Sequence, residues 1–172
     1  MNRIIGVLSL QGGYASHIAV LRSLGLDARE IRTEAELSRC DALVIPGGES
    51  TVLTRLLMKP GTGPGCGAPW EPLPFHGAIR DFARVNPVMG TCAGLIMLAR
   101  PCGDERVVSF DVLPVNVERN AYGRQTESFI EGIDLDFPGG NSRKGSETPQ
   151  PYPATFIRAP KIVSFDKDVR VL

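Results

Sequence analysis

Three short apolar runs in this chain each end in a glycine-bearing turn, and a segment of helical spacing follows each of them. Ile4 to Leu10 runs into Gln11-Gly12-Gly13, Asp41 to Pro46 into Gly47-Gly48-Glu49-Ser50-Thr51, and Pro87 to Met89 into Gly90-Thr91-Cys92-Ala93-Gly94. Runs this continuous suit strands buried on both faces. After the first, Ile18, Leu21 and Leu24 recur at helical spacing and Gly25 closes the segment. After the second, Ser50 or Thr51 can cap a helix carrying Leu53, Leu56 and Leu57. A weaker run, Ala28 to Ile31, supplies another strand. The alternation predicts an α/β fold with a mostly parallel central sheet covered by helices on both faces. Right-handed crossovers then bring the strand-to-helix turns to one rim, where open α/β folds bind ligands.

The chain has 172 residues, which fits a single domain spanning 1–172. Lys plus Arg and Asp plus Glu number 19 each, so nothing in the charge points to nucleic acid or to a membrane surface as partner. No apolar run approaches the roughly 18 residues of a membrane span. Met1-Asn2-Arg3-Ile4-Ile5 lacks the layout of a signal peptide, and a cytoplasmic protein is the expectation. Cys40, Cys66, Cys92 and Cys102 form no C-x-x-C pair and have no histidine at zinc spacing. Reduced thiols, with neither a metal site nor a disulfide framework, are expected.

Two stretches interrupt the pattern. Residues from about 60 to 74 are crowded with Pro and Gly and read as a surface loop without regular structure. Residues 139–153 form a second polar insertion. Between and beyond them, Phe75 to Arg84 has helical spacing. Val107-Val108, Val112 to Val117, Ser128 to Ile130, Thr155 to Ile157 and Ile162 to Phe165 are candidate strands.

The third glycine turn carries the chemistry. In Gly90-Thr91-Cys92-Ala93-Gly94 the flanking small residues permit a sharp strand-to-helix bend, leaving a thiol exposed at the carboxyl end of the sheet beside a helix start. This G-x-C-x-G arrangement is the cysteine counterpart of the serine nucleophile elbow. A buried cysteine in a glycine-rich turn is the other reading of the motif taken alone. Glu49 is open to a similar choice, since a helix dipole favours a carboxylate in a first turn. Arg119 and Arg124 can be solvated strand-end charges, Gln11 an ordinary turn residue, and His17 a surface or partner-facing residue of the first helix.

Taken together, Leu10-Gln11-Gly12-Gly13, Pro46-Gly47-Gly48-Glu49-Ser50, Gly90 to Gly94, Glu118-Arg119-Asn120-Ala121-Tyr122-Gly123-Arg124-Gln125 and Phe156-Ile157-Arg158-Ala159-Pro160 resemble the glutaminase subunit of pyridoxal 5'-phosphate synthase. That subunit is a triad-type, class I glutamine amidotransferase. The order and approximate spacing match from Ile4 to about Leu172, apart from the two insertions. The resemblance implies a class I glutamine amidotransferase-like, flavodoxin-like three-layer fold. It implies L-glutamine as substrate and a synthase (lyase) subunit as partner and ammonia acceptor, with no cofactor and no metal. It makes Cys92 the nucleophile and the N–H groups of Gly48 and Ala93 the oxyanion hole. Gly48, Glu49, Ser50, Arg119, Ile157 and Arg158 become glutamine-binding residues, a guanidinium being suited to a substrate α-carboxylate. Gln11 is linked to docking and activation.

The chain departs from the family in one respect. A His and a Glu two residues apart, in a His-Pro-Glu segment, supply the family's general base and its orienting carboxylate. No such segment occurs here, and the expectation is a chain truncated at its C-terminus, with the last strands and closing helix missing. His17 and His76 are the two histidines, and neither sits where the triad histidine belongs. A catalytically dead regulatory or docking homologue is therefore the alternative. A cysteine enzyme of the related peptidase or chaperone-like type shares the elbow, but its chemistry has no use for the Arg119 to Gln125 segment.

Overall fold

The computed structural model describes residues 3–61, 70–123, 128–133 and 151–171. Its centre is a four-stranded parallel sheet made of β1 (Ile4–Leu8), β2 (Asp27–Ile31), β3 (Ala42–Ile45) and β6 (Val88–Gly90), in the order β2-β1-β3-β6. Ile5 stands opposite Ala28 on one side and Ala42 on the other, and Val44 stands opposite Met89. Among the described residues, five helices connect the strands or follow them: α1 (Tyr14–Ser23), α2 (Glu34–Leu37), α3 (Ser50–Leu57), α4 (Pro74–Val85) and α5 (Ala93–Leu98).

Strand alternation divides the core into two layers. Val7, Ala28 and Val44 face one way and bury Ile18 of α1. Leu8, Leu43 and Ile45 face the other way, onto Leu53 and Leu57 of α3, Ile79 of α4 and Met97 of α5. Ile45, Leu57, Ile79 and Met97 are completely buried. Helices therefore cover both faces of a parallel sheet, the three-layer arrangement expected from the sequence.

Some elements depart from the sequence reading. Thr33 caps α2 in a reciprocal box with Glu36, an element the apolar pattern does not announce. The Glu36 N–H donates to Thr33 Oγ1 at 3.3 Å and the Thr33 N–H to Glu36 Oε2 at 3.0 Å. Neither Ser50 nor Thr51 caps α3; Glu49 is its N-cap residue, and Ser50 is already helical and buried. The first insertion contributes regular structure at its ends, where β4 (Met58–Pro60) pairs antiparallel with β5 (Trp70–Pro72) and Pro74 opens α4. Residues 62–69, including Cys66, lie outside the described residues, as do 134–150, which include 139–150 of the second insertion.

Val107-Val108 is not a strand. Its backbone donors are spent elsewhere: the Val107 N–H on the Asp104 carbonyl at 2.9 Å and the Val108 N–H on Thr54 Oγ1 at 3.1 Å. Phe110 then plugs into the core beside them, 1% exposed. Of the run Val112 to Val117, only Val115 onward is strand, β7 (Val115–Glu118), because Val112 and Leu113 bond Leu98 and Pro114 has no N–H. The later candidates form β8 (Phe129–Ile133), β9 (Tyr152–Phe156) and β10 (Lys161–Phe165). They pair antiparallel as β8–β9 and β10–β7 and do not join the central sheet.

Gly94, inside α5, carries a close approach. A Cβ there would stand 2.1 Å from the Ile45 carbonyl oxygen, so helix and sheet meet backbone to backbone. Gly→Ala inside a helix normally stabilises by up to about 1 kcal/mol. Here the sign reverses: G94A is expected to cost about 2–3 kcal/mol in denaturant unfolding, with no other glycine replacement needed to see it.

His76, 4% exposed, packs its ring 4.8 Å from that of Phe110. Burial, reinforced by the nearby Arg80 charge, pushes its pKa below the usual histidine value, and the main chain of Val108 and Ser109 offsets this only in part. The unfolded chain takes up this proton first as pH falls through about 6.5, so stability drops on acidification from there. Unfolding measured at pH 7 and pH 5 should show this loss, and H76F should remove its share.

Candidate active site

β6 ends at Gly90 and the chain bends at once into α5. The Thr91 N–H still bonds the Ile45 carbonyl at 3.1 Å, while the Gly94 N–H returns to the Thr91 carbonyl at 2.9 Å. Between them Cys92 takes φ 50° and ψ −104°, a conformation L-residues seldom adopt, and its side chain is exposed. The bend is the elbow that the glycine spacing predicts, and the buried-cysteine reading of the motif fails. His17 is not simply a surface residue of α1. Half-buried, it places Nε2 3.1 Å from Thr91 Oγ1, next to the elbow.

The other two glycine turns close against this one. At Gly12, φ is 83° and a Cβ would meet the Gly47 carbonyl oxygen at 2.0 Å, so only glycine fits. The Gly13 N–H donates to that same oxygen at 2.9 Å. Gln11 Oε1 accepts the Glu49 N–H at 3.1 Å. A Cβ on Gly47 would lie 3.4 Å from the Cys92 Cβ, which sets the paired-glycine turn directly beside the thiol.

Charge arrives from the far end of the sequence. Arg119, following β7, is 12% exposed at its side chain and donates Nη2 to Glu49 Oε1 at 3.1 Å. Arg158, just after β9, donates Nη2 to Glu49 Oε2 at 3.2 Å. One carboxylate is thus held between two guanidiniums 70 and 109 residues away in sequence. Asp104 takes the other terminal nitrogen of Arg119.

These groups share one cavity of about 280 Å³, walled by Gly48, Glu49, Ser50 and Cys92 on one side and by Arg119, Ile157 and Arg158 on the other. Ile96 and Asn120 complete the wall. Of the residues singled out from sequence, Ala93 is buried behind the elbow and Gln11 stands behind the glycine pair, so neither lines the cavity. His76 packs on Phe110, away from it. Arg124 and Gln125 lie outside the described residues. Among the described residues, the non-glycine positions with positive φ are Cys92, Asp111, Asn120 and Arg158, and all but Asp111 line this cavity. Positive φ is uncommon at non-glycine residues, and its concentration here makes the cavity the candidate functional site.

The model of the SNO glutamine amidotransferase family matches residues 7–172. The chain belongs to that family. It is 37% identical over 179 residues to the pyridoxal 5'-phosphate synthase subunit PdxT of Halobacterium salinarum, covering 100% of this chain and 77% of that protein. To the subunit of the same name from Saccharopolyspora erythraea it is 39% identical over 177 residues, covering 98% of this chain and 71% of the relative. A crystal structure of a glutamine amidotransferase superposes with a TM-score of 0.74 at 33% identity, over 98% of this chain and 78% of that one. The structure of PurLQS from Thermotoga maritima, at 13% identity, shares the fold alone, with a TM-score of 0.60 over 97% of this chain and 72% of that one.

In this SNO-family chain the fold is the class I glutamine amidotransferase-like one. Sequence reasoning missed Asp104, Ile96, Asn120 as a strained wall residue, and the His17–Thr91 contact. Only Asn120 carried a signal, its position beside Arg119 in a segment already singled out. Among the described residues, no group of His, Cys, Asp and Glu could hold a metal ion, and no helix is long and apolar enough to cross a membrane.

Exposure also orders the thiols. Cys40 is half-buried and burial raises its pKa, and Cys102 is half-buried. Limited alkylation with iodoacetamide, followed by peptide mapping, should modify Cys92 well before Cys40 or Cys102.

Proposed function

We propose that the Cys92 cavity binds L-glutamine and hydrolyses its side-chain amide to glutamate and ammonia. The ammonia passes to the synthase (lyase) subunit of a pyridoxal 5'-phosphate synthase, in the cytoplasm. The observation that carries this reading is the meeting of an exposed, strained thiol with a Glu49–Arg119–Arg158 cluster in one small cavity. An amino-acid head group carries a carboxylate and an ammonium. Guanidiniums from Arg119 and Arg158 suit the first, Glu49 the second. The Gly48, Ser50 and Ile157 walls then direct the side chain toward Cys92.

In the proposed reaction the Cys92 sulfur attacks the amide carbon, and the resulting oxyanion takes N–H bonds from Gly48 and Ala93. Such donors are worth about 10²–10³ in rate each. The C–N bond breaks, nitrogen leaves as ammonia with the thiol's proton, and water cleaves the glutamyl thioester to release glutamate. No cofactor takes part. Gln11, which accepts the Glu49 N–H, would carry the effect of partner docking into the paired-glycine turn beside Cys92.

One observation favours a second reading, that of a homologue which binds glutamine and docks without hydrolysing it. Neither His17 nor His76 lines the cavity, so among the described residues no histidine shares it with Cys92 as a general base. Losing a triad base costs several orders of magnitude in other enzymes.

Glutamate release in the presence of the synthase subunit separates the two. Turnover that C92A abolishes, and for which R119A raises KM by about tenfold or more, establishes the hydrolase. Glutamine binding with no release by the wild-type chain establishes the docking homologue. Failure to bind glutamine at all contradicts both.

A further inference from the structure

Arg119 is too enclosed to find its own orientation in solvent, and it has two anchors. Nη2 donates to Glu49 on the cavity wall, while Nη1 donates to Asp104 behind it. Asp104 is itself held by hydrogen bonds from Arg106. Arg106 donates its own N–H and Nε to Oδ1, at 3.0 and 2.9 Å, and Nη2 to Oδ2 at 2.8 Å. The Val107 N–H bonds the Asp104 carbonyl at 2.9 Å. The next residue, Glu105, offers its carbonyl to the Trp70 indole N–H at 3.1 Å, so the β4–β5 ribbon holds the same loop from outside. The hydrogen bonds from Arg106, and after them the charge of Arg119, keep the Asp104 carboxyl far below the usual carboxylate range.

We propose that Asp104 is a positioning residue, which fixes the plane of the Arg119 guanidinium so that its remaining donors meet the α-carboxylate of the substrate. The proposal rests on the glutamine reading above and adds a residue to it. A guanidinium held at both terminal nitrogens cannot swing about its stem. Held at Glu49 alone it can, and the fork geometry that favours a carboxylate is lost. Asp104 lies outside the cavity wall, so its effect falls on substrate binding and leaves the thiol's own reactivity alone.

The experiment measures protection of Cys92 from iodoacetamide by L-glutamine, in the full chain with its synthase partner, for wild type, D104N and D104E. In the wild type L-glutamine slows alkylation. D104N is expected to need about tenfold more L-glutamine for half-protection, with its unprotected alkylation rate within about twofold of wild type, and D104E is expected to recover most of the loss. Equal half-protection in wild type and D104N overturns the role of Asp104 alone. A D104N change that appears equally in the unprotected rate and is not recovered by D104E assigns a merely structural role and also overturns it. Absence of protection in the wild type overturns the glutamine reading, and this proposal with it.

Discussion

Backbone meeting backbone at one rim of the sheet is the constraint on which the rest depends. The Gly94 turn of α5 lies on the Ile45 carbonyl, and Gly12 lies on the Gly47 carbonyl. These approaches leave no room for a β-carbon, and they draw three strand-to-helix turns into one compact rim. A parallel sheet places those turns on the same edge. The missing side chains then let them touch, and Cys92 is pushed out at the bend in a strained conformation.

Electrostatics follows from that geometry. Glu49 caps α3 from the second turn, and its fixed backbone presents the carboxylate to two arginines from distant parts of the chain. Arg119 is the more enclosed, with 12% of its side chain exposed against 46% for Arg158. An ion pair screened from water is stronger and geometrically stricter than one at the surface. Arg119 is therefore the better candidate for a fixed recognition group, and Arg158 for an adjustable one.

Much of this arrangement is legible in the sequence because it is written locally. An apolar run, a glycine pair and a helical spacing lie within about twenty residues of one another, and they announce β1, β3, β6, α3 and the elbow at Cys92. Only the family resemblance points to Arg119 and Arg158, since nothing local marks an arginine that will face a carboxylate 70 or 109 residues away. Val107-Val108 looks like a strand because its composition does. What decides it is the Thr54 hydroxyl, 54 residues earlier, which takes the Val108 N–H. The Pro/Gly-rich insertion reads as pure loop, yet its ends pair as β4 and β5 because Met58 is drawn into the core and Trp70 reaches Glu105. Asp104 left no trace in the sequence, because its contacts with Arg106 and Arg119 are made only in the fold.

The central claim is that an exposed thiol and an amino-acid recognition cluster form a single site. Trapping with a glutamine-analogue electrophile, 6-diazo-5-oxo-L-norleucine, read by mass spectrometry with and without the synthase subunit, tests it most directly. The account predicts one covalent adduct, on Cys92, suppressed by L-glutamine and lost in R119A. Adducts spread over the other cysteines, or an adduct on Cys92 indifferent to L-glutamine, would contradict it.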